Sequence, residues 1–192
     1  MDSTVFNKRL LEIANEYLEY ELVDPRTKFA PTMCITAPQP RVTFSQSDDT
    51  QSHGKKLYLL FASDLKSYLV CDEEPSPVGQ VIVKESWGAV HQEQVPDGWL
   101  PDANHRSGES FIRQAWDNGK RYVVGEQKEL FIMYKLAPDT EATDNGWVYG
   151  VVAADGNHVV ESGKIKNCMS CHLDAGKDRL FGLEKPRRGG GL

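Results

Sequence analysis

The sequence predicts an α+β fold, a predominantly antiparallel β-sheet with an N-terminal helix and short helices. Four short apolar runs rich in aromatic and β-branched residues have the composition of buried strands. They are Lys56–Ala62, Gln80–Trp87, Leu130–Leu136 and Trp147–Ala153. The turn sequence Asp155-Gly156-Asn157 precedes a fifth short run at residues 158–161. Residues 147–161 are therefore expected to form a hairpin, which makes the sheet antiparallel.

An amphipathic helix is predicted over residues 3–20. Apolar side chains recur there at intervals of three and four residues, behind a cap at Ser3/Thr4. The apolar positions are Phe6, Leu10, Ile13, Ala14 and Tyr17. Because a helix with one apolar stripe must bury that stripe, we expect it to pack against the sheet.

Two polar stretches separate the predicted elements. Residues 24–50 are rich in proline, which predicts a loop with one short edge strand at Arg41–Phe44. The second stretch runs from Trp87 to Lys128 and is interpreted as an insertion over one sheet edge, with one helix at Gly108–Trp116. One further helical turn is expected at Asp64–Tyr68, directly after the first apolar run.

Composition excludes several classes of protein. With 192 residues, the chain is long enough for one domain that buries a core and a cofactor. The net charge is −6 and no basic stripe occurs, so no nucleic-acid partner is expected. The sequence contains no run of about 18 apolar residues, and no membrane span is expected.

The segment Cys168-Met169-Ser170-Cys171-His172 carries the chemistry. In a Cys-x-x-Cys-His motif, each thiol can bond a haem vinyl group while the adjacent histidine binds the iron as an axial ligand. The motif therefore predicts one covalently bound haem c. Its thioethers are expected from Cys168 and Cys171, and its axial ligand from His172.

Half of a zinc site and a redox dithiol are the alternatives to haem. A structural zinc site commonly uses two cysteine pairs, and no second Cys-x-x-Cys occurs in the sequence. A thioredoxin-like dithiol opens a helix after a strand of a βαβ unit, whereas this pair follows a predicted antiparallel hairpin. The other two cysteines, Cys34 and Cys71, form either a disulfide or two separate thiols.

The segment after the motif, residues 173–181, is polar and is expected to cover a haem edge. Within it, Arg179 is a candidate for pairing with a haem propionate. A solvated surface arginine is the alternative.

The order of these segments resembles the cytochrome P-460 family, which includes the cytochrome c′-beta proteins. The similarity runs from about Lys56 to Phe181. It includes Gly79–Glu85, Leu130–Lys135, Gly146–Tyr149 and Asp155-Gly156. Its most specific feature is the haem motif placed last, after a β-rich body, because ordinary small cytochromes c are helical and usually carry the motif near the N-terminus.

This resemblance implies an antiparallel sheet with helices to one side, homodimer assembly, and a haem whose face opposite the axial histidine is open to small ligands. In cytochrome P-460 itself, a lysine in a Val-x-Val-Lys-Glu-like strand is bonded to the haem macrocycle, and the enzyme oxidises hydroxylamine. The c′-beta branch lacks this bond and mainly binds gases such as nitric oxide. Lys84 in Val81–Glu85 occupies the matching place. It extends to solvent as a surface lysine, forms an ion pair, or is cross-linked to the haem.

The chain also departs from the hydroxylamine-oxidising members, which place an arginine and a carboxylate over the open iron face. Here the strand before the lysine strand is apolar apart from Tyr58, and the later strand offers only Glu129 at its edge. A distal pocket lined by Phe61, Phe131 or Leu59 is expected instead. Such a pocket suits gas binding or electron transfer better than an oxidation that needs a base.

Three residues are candidate sixth ligands of the iron, namely Met133, His53 and His158. A methionine or histidine ligand would make the protein a plain electron carrier. Core packing is the expected role of Met133, because it lies within an apolar strand, and the two histidines flank turns.

Together these features predict a monohaem cytochrome that oxidises hydroxylamine or binds nitric oxide, with a small nitrogenous ligand and a redox partner cytochrome. Whether it is an enzyme stays open, and periplasmic electron transfer without catalysis is the alternative. Residues 1–50 are expected to form the N-terminal helix and an extended loop, 51–182 the haem domain, and 183–192 a disordered tail. Because this motif normally receives haem outside the bacterial cytoplasm, an exported, periplasmic location is expected, with the signal sequence missing from this chain.

Overall fold

One antiparallel sheet forms the body of the structure, a computed structural model that describes residues 3–23, 43–44, 56–71, 73–91, 93, 114–117, 120–175 and 178–182. Within these ranges the sheet has nine strands. They are β1 (Glu21–Val23), β2 (Thr43–Phe44), β3 (Lys56–Ala62), β4 (Val81–His91), β5 (Gln114–Asp117), β6 (Lys120–Gln127), β7 (Leu130–Lys135), β8 (Trp147–Val152) and β9 (Val159–Gly163). The helices are α1 (Asn7–Glu16), α2 (Leu65–Leu69) and α3 (Lys166–His172), with 3-10 turns at Ser3–Phe6 and Tyr17–Glu19. The predicted α+β fold is confirmed.

The long strand β4 organises the sheet, whose order is β1-β3-β4-β7-β8-β9. One edge of β4 pairs with β3, from Ile82 opposite Ala62 to Gly88 opposite Lys56. The other edge pairs first with β7 and then with β6, so these two strands follow each other along β4. Outside this path, β2 pairs with β3 and β5 pairs with β6. Since successive side chains of a strand point to opposite sides, the register decides which residues share a face.

The first face of the sheet is covered by α1 and is named here the α1 face. Leu10, Ile13 and Ala14 of the helix are buried against it. Its strand residues include Leu59, Phe61, Val83, Ile132 and Val148. The five apolar positions that predict the N-terminal helix are all buried. The α-helix itself begins at Asn7 rather than behind Ser3/Thr4, because a 3-10 turn comes first. The N-cap residue of the α-helix is Phe6, which makes no side-chain cap hydrogen bond.

The second face is named the α3 face, because α3 and residues 178–182 lie on it. Its strand residues include Leu60, Ile82, Lys84, Phe131, Met133, Trp147, Tyr149 and Val151. Against them pack Ile165, Cys168 and Met169 from the α3 region and Leu180 from the later segment. The end of the chain that carries the cysteine motif therefore lies on the face opposite the N-terminal helix.

Two other predictions can be compared with the described strands. The bounds of β3 agree with the predicted run Lys56–Ala62, and β8 and β9 form the predicted hairpin over residues 147–161. Strands β1 and β2 belong to the region 1–50 and pair with β3 in the same sheet. Residues 183–192 and Cys34 lie outside the described residues, and the division into three regions stays a prediction.

The predicted helix at Gly108–Trp116 is wrong over residues 114–116, which belong to β5. Strand β5 pairs with β6, with Asp117 opposite Lys120. The two intervening residues, Asn118-Gly119, are a sequence typical of two-residue hairpin turns, and β6 contains the β-favouring segment Tyr122–Val124. These preferences and the pairing of β6 with β4 outweigh the helical pattern. Residues 108–113 lie outside the described residues.

The described helices are all short. None of them is long and apolar enough to cross a membrane.

Gly150 determines how closely α1 approaches the sheet. A Cβ placed there would overlap the Leu10 side chain of the helix. We expect Gly150→Ala to lower the free energy of unfolding by about 1–3 kcal/mol, because the closely packed helix must shift. The measurement is urea denaturation followed by circular dichroism.

Gly88 provides the matched control for this prediction. It also lies in a strand, but a Cβ there would have no neighbour nearer than 3.8 Å. Gly88→Ala is expected to leave the free energy of unfolding unchanged or to raise it by up to about 1 kcal/mol. Equal destabilisation by both substitutions would show that the contact with Leu10 is not the cause.

Candidate haem site

Helix α3 brings both thiols and the imidazole together at the edge of the α3 face. The chain leaves β9 at Gly163, whose φ of 95° is readily adopted only by glycine, and α3 begins three residues later. Cys168 is partly buried against the α3 face, whereas Cys171, three positions on, is exposed. His172 is the last residue of the helix. One short segment thus presents three potential cofactor-binding groups.

His172 is held in a defined orientation by its surroundings. Its Nδ1 lies 2.6 Å from the backbone oxygen of Arg179. Its ring also lies between Tyr149 and Phe181, with centroid distances of 5.6 Å and 5.1 Å. Because a carbonyl only accepts hydrogen bonds, Nδ1 must carry the proton, which leaves the Nε2 lone pair available for a metal.

The surroundings of His172 lower its pKa and so favour the neutral imidazole. Burial lowers the pKa, the hydrogen bond to Arg179 opposes that effect, the positive charge of Lys84 lowers the pKa further, and the negative charge of Asp144 raises it. A neutral imidazole with a fixed Nδ1 proton is the form that ligates haem iron.

The thiol of Cys168 differs from a reactive thiol. Burial raises its pKa to about 11, and the nearby Glu161 and Cys171 contribute in the same direction. Redox-active thiols instead have lowered pKa values. No group of three His, Cys, Asp or Glu side chains arranged to hold a metal ion occurs within the described residues. The raised pKa of Cys168 disfavours the redox-dithiol alternative.

An apolar rim borders the motif. Leu173, which follows the histidine, is 53% exposed, and Phe181, whose ring contacts the imidazole, is 60% exposed. Large apolar side chains exposed beside a binding group indicate a surface that a ligand covers. Two thiols, a neutral imidazole and this rim together fit a haem c group.

Arg179 is engaged by a carboxylate rather than extended to solvent. Its Nε donates to Oδ2 of Asp144 at 2.9 Å, and its Nη2 donates to Oδ1 at 3.1 Å. The hydroxyl of Tyr149 donates to the same Asp144 Oδ2 at 2.9 Å. The expected contact with a propionate stays a prediction, and the described hydrogen bonds direct the guanidinium towards Asp144.

Lys84 lies on the α3 face, the same side of the sheet as the motif. Its cross-strand neighbours are Leu60 and Phe131. Its Nζ lies 4.4 Å from the centroid of the Tyr58 ring. Burial, and to a smaller extent the positive charge of Lys56, lower its pKa to about 8. A larger share of this amine is therefore neutral at pH 7 than for an exposed lysine.

The two phenylalanines expected in one distal pocket lie on opposite faces of the sheet. Phe131 faces the α3 side, where Lys56 Nζ lies 4.9 Å from its ring centroid. Phe61 faces the α1 side and packs edge to face against Tyr17 at 5.2 Å. The reason is strand alternation: in β3, Tyr58 and Leu60 face the lysine, so Phe61 and Leu59 face away. Phe61 is therefore not part of this site.

The candidate sixth ligands lie in different environments. Met133 is buried on the α3 face in a cluster with Ile82, Trp147 and Tyr149. His158 is exposed, and its Nδ1 lies 3.9 Å from a carboxylate oxygen of Asp155. His53 lies outside the described residues.

A buried ion pair anchors the segment that follows the motif. Lys135 Nζ donates to Asp178 Oδ1 at 2.6 Å and to the backbone oxygen of Asn145 at 2.9 Å. The backbone nitrogen of Ser76 donates to Asp178 Oδ2 at 2.6 Å, and Trp147 Nε1 donates to the Asp178 backbone oxygen at 2.9 Å. The side chains of Lys135 and Asp178 are only 3% and 1% exposed. The pair ties residues 178–182 to strands β7 and β8.

The residues that surround the imidazole were not predicted from the sequence. Asp144 and Tyr149 lie 24 and 19 positions before Cys168, and nothing in their local pattern marks them. Lys135 did carry a signal, because a lysine at the end of an apolar run must find a partner if it is buried. Its partner Asp178 is identified only by the fold.

Comparison with known families identifies the chain. Residues 40–181 match the family model described as cytochrome P-460. The chain belongs to the cytochrome P-460 family. Membership makes it a c-type haem protein and implies a covalently bound haem c. No curated protein matches the chain.

Removing the buried lysine tests the anchor in this cytochrome P-460 family member. Lys135→Met leaves the Asp178 carboxylate buried without its charge partner and is expected to lower the free energy of unfolding by about 3–5 kcal/mol. Urea denaturation measures the change.

The matched variant for this prediction is Lys135→Met combined with Asp178→Asn. The amide removes the unpaired charge but still accepts from the Ser76 backbone nitrogen. The double variant should therefore regain most of the lost stability. A double variant as unstable as Lys135→Met alone would contradict an anchor based on charge pairing.

Proposed function

We propose that this chain is a monohaem c-type cytochrome whose iron binds nitric oxide on the face opposite His172. In this proposal Cys168 and Cys171 form the two thioether bonds, and His172 Nε2 is the axial ligand. The observation that carries the proposal is the neutral imidazole with its Nδ1 fixed, beside two thiols of the same helix. Haem supplies an iron that binds small nitrogen ligands and exchanges single electrons.

The surroundings of Lys84 favour ligand binding over hydroxylamine oxidation. Its cross-strand neighbours Leu60 and Phe131 are apolar. Glu85 is buried on the other face of the sheet, next to Gln127, and Glu129 lies 3.6 Å from Lys56. Oxidation of hydroxylamine releases protons and needs a base beside the substrate. Glu85 is thus directed away from the α3 face and Glu129 is ion-paired, so neither is placed to act as this base. Nitric oxide needs no base to bind iron.

Hydroxylamine oxidation is the second candidate function, and Lys84 is the observation that favours it. The lysine lies on the α3 face, and its lowered pKa increases the share of neutral amine, which is the form that bonds to carbon. In this candidate Lys84 forms the haem cross-link.

The location and partners follow from the same proposal. We infer an exported, periplasmic protein, because haem attachment to Cys-x-x-Cys-His normally takes place there. A soluble cytochrome as redox partner and a homodimer are further parts of the proposal. Neither of the two candidate sixth ligands within the described residues supports an electron carrier, since Met133 packs in a buried cluster and His158 is exposed.

The absorption spectrum of the ferrous protein separates the two candidates. We expect a Soret band at the usual position of c-type cytochromes, and a shift of that band when nitric oxide is added. Lys84→Leu should leave the spectrum and the binding of nitric oxide unchanged, because the proposal gives the amine no bond to the haem.

Lys56→Met is the control, since it removes the other lysine near the Phe131 ring. A strongly red-shifted Soret band that is lost in Lys84→Leu and kept in Lys56→Met would contradict the binding proposal. It would support the cross-link and the hydroxylamine candidate.

A further inference from the structure

Arg179 has an unusual backbone conformation at a decisive place. Its φ is 66°, in the left-handed region that residues with a Cβ rarely adopt. The backbone oxygen of this same residue accepts the hydrogen bond from His172 Nδ1. The unfavourable conformation and the contact with the imidazole therefore belong to the same residue.

The Arg179 side chain has the contacts needed to hold that conformation. Its guanidinium makes two hydrogen bonds to Asp144, whose side chain is only 8% exposed. The two hydrogen bonds fix the direction of the guanidinium as well as its distance.

Asp144 also fixes the second neighbour of the imidazole. Tyr149 donates its hydroxyl to Asp144, and its ring lies 5.6 Å from the His172 ring. A single carboxylate therefore holds both the arginine whose carbonyl binds Nδ1 and the aromatic ring beside the imidazole.

We propose that Asp144 and Arg179 are positioning residues for the haem ligand: their ion pair holds Arg179 in the left-handed conformation that directs its carbonyl to His172 Nδ1. This inference rests on the proposed role of His172 as axial ligand. A hydrogen bond from Nδ1 to a carbonyl increases the electron donation of the imidazole, which stabilises ferric iron and lowers the reduction potential. The Asp144–Arg179 ion pair, called the clamp below, thus sets the reduction potential and the strength of the iron–imidazole bond.

Neighbouring anchors provide the competing explanation. Asp178 is bound by Lys135 and Trp147, and Leu180 is buried, so the residues on both sides of Arg179 are fixed. If these anchors alone impose the backbone conformation, the side chain of Arg179 is not needed for it.

Two substitutions of Arg179 in the haem-loaded protein separate these explanations. Arg179→Gly and Arg179→Ala remove the same charge and the same hydrogen bonds to Asp144, but only glycine adopts the left-handed conformation freely. In the alanine variant the ratio of conformers with the His172 hydrogen bond to those without it should be about fivefold lower than in the glycine variant. The readouts are the reduction potential and the iron–imidazole stretching frequency of the ferrous protein by resonance Raman.

The expected result is a higher potential and a lower stretching frequency for Arg179→Ala than for Arg179→Gly. Identical values for the two variants would overturn the inference. Any difference from the unmodified protein would then come from the lost charge and not from the backbone conformation of residue 179. A pyridine haemochrome assay on every variant confirms covalent haem. If the unmodified chain carries no covalent haem, both the proposed function and this inference are contradicted. If covalent haem is present and the two variants have identical potentials, only the inference is contradicted.

Asp144→Asn gives an independent arm if Arg179→Ala does not fold or bind haem. In the chain with Arg179, this substitution weakens the clamp and should raise the potential. In the Arg179→Gly background the shift should be smaller, because glycine needs no ion pair to adopt the left-handed conformation and only the direct effect of the lost Asp144 charge remains. Equal shifts in both backgrounds would overturn the inference.

Discussion

The buried ion pair between Lys135 and Asp178 is the interaction on which the geometry of the haem site depends. It joins the chain after the motif to strand β7, and both charges are satisfied by further hydrogen bonds from or to the backbone. Two unpaired charges at this depth would be strongly destabilising. Since Arg179 directly follows Asp178, this ion pair holds the segment that carries the Arg179 carbonyl against the sheet.

Helix α3 depends on this arrangement because it is too short to be stable alone. It has seven residues, none of them fully buried, and isolated helices below about 12 residues are marginal in water. Cys168 and Met169 pack against the α3 face at one side, and residues 178–182 hold the imidazole at the other. The thioethers expected for a member of the cytochrome P-460 family would add covalent bonds from the same helix.

Local sequence patterns predicted much of the fold because the preference of a segment for helix or strand depends largely on its own residues. The run Lys56–Ala62 has the bounds of β3, and the five apolar positions of the N-terminal helix are buried. Pattern alone does not fix which face of the sheet a residue occupies, which is why Phe61 was expected beside Phe131. Strand β6 was missed because its segment lies within a polar stretch, although Tyr122–Val124 favours a strand.

The residues of the candidate site also differ in whether the sequence alone could predict them. Cys168, Cys171 and His172 are adjacent in sequence and form a recognisable motif, so they could be predicted. Asp144, Tyr149 and Lys135 reach the site only through the pairing of β7 with β8 and the return of residues 178–182, and such long-range contacts leave no local signal.

The central claim is that one haem is bonded to Cys168 and Cys171. The most direct test is the intact mass, measured under denaturing conditions, of protein that was exported from the cytoplasm before purification. Thiol labelling of the same sample shows which cysteines are free. A mass equal to the chain plus one haem, with both motif cysteines protected from labelling, is the predicted result. A mass equal to the bare chain, with Cys168 and Cys171 both labelled, would contradict it.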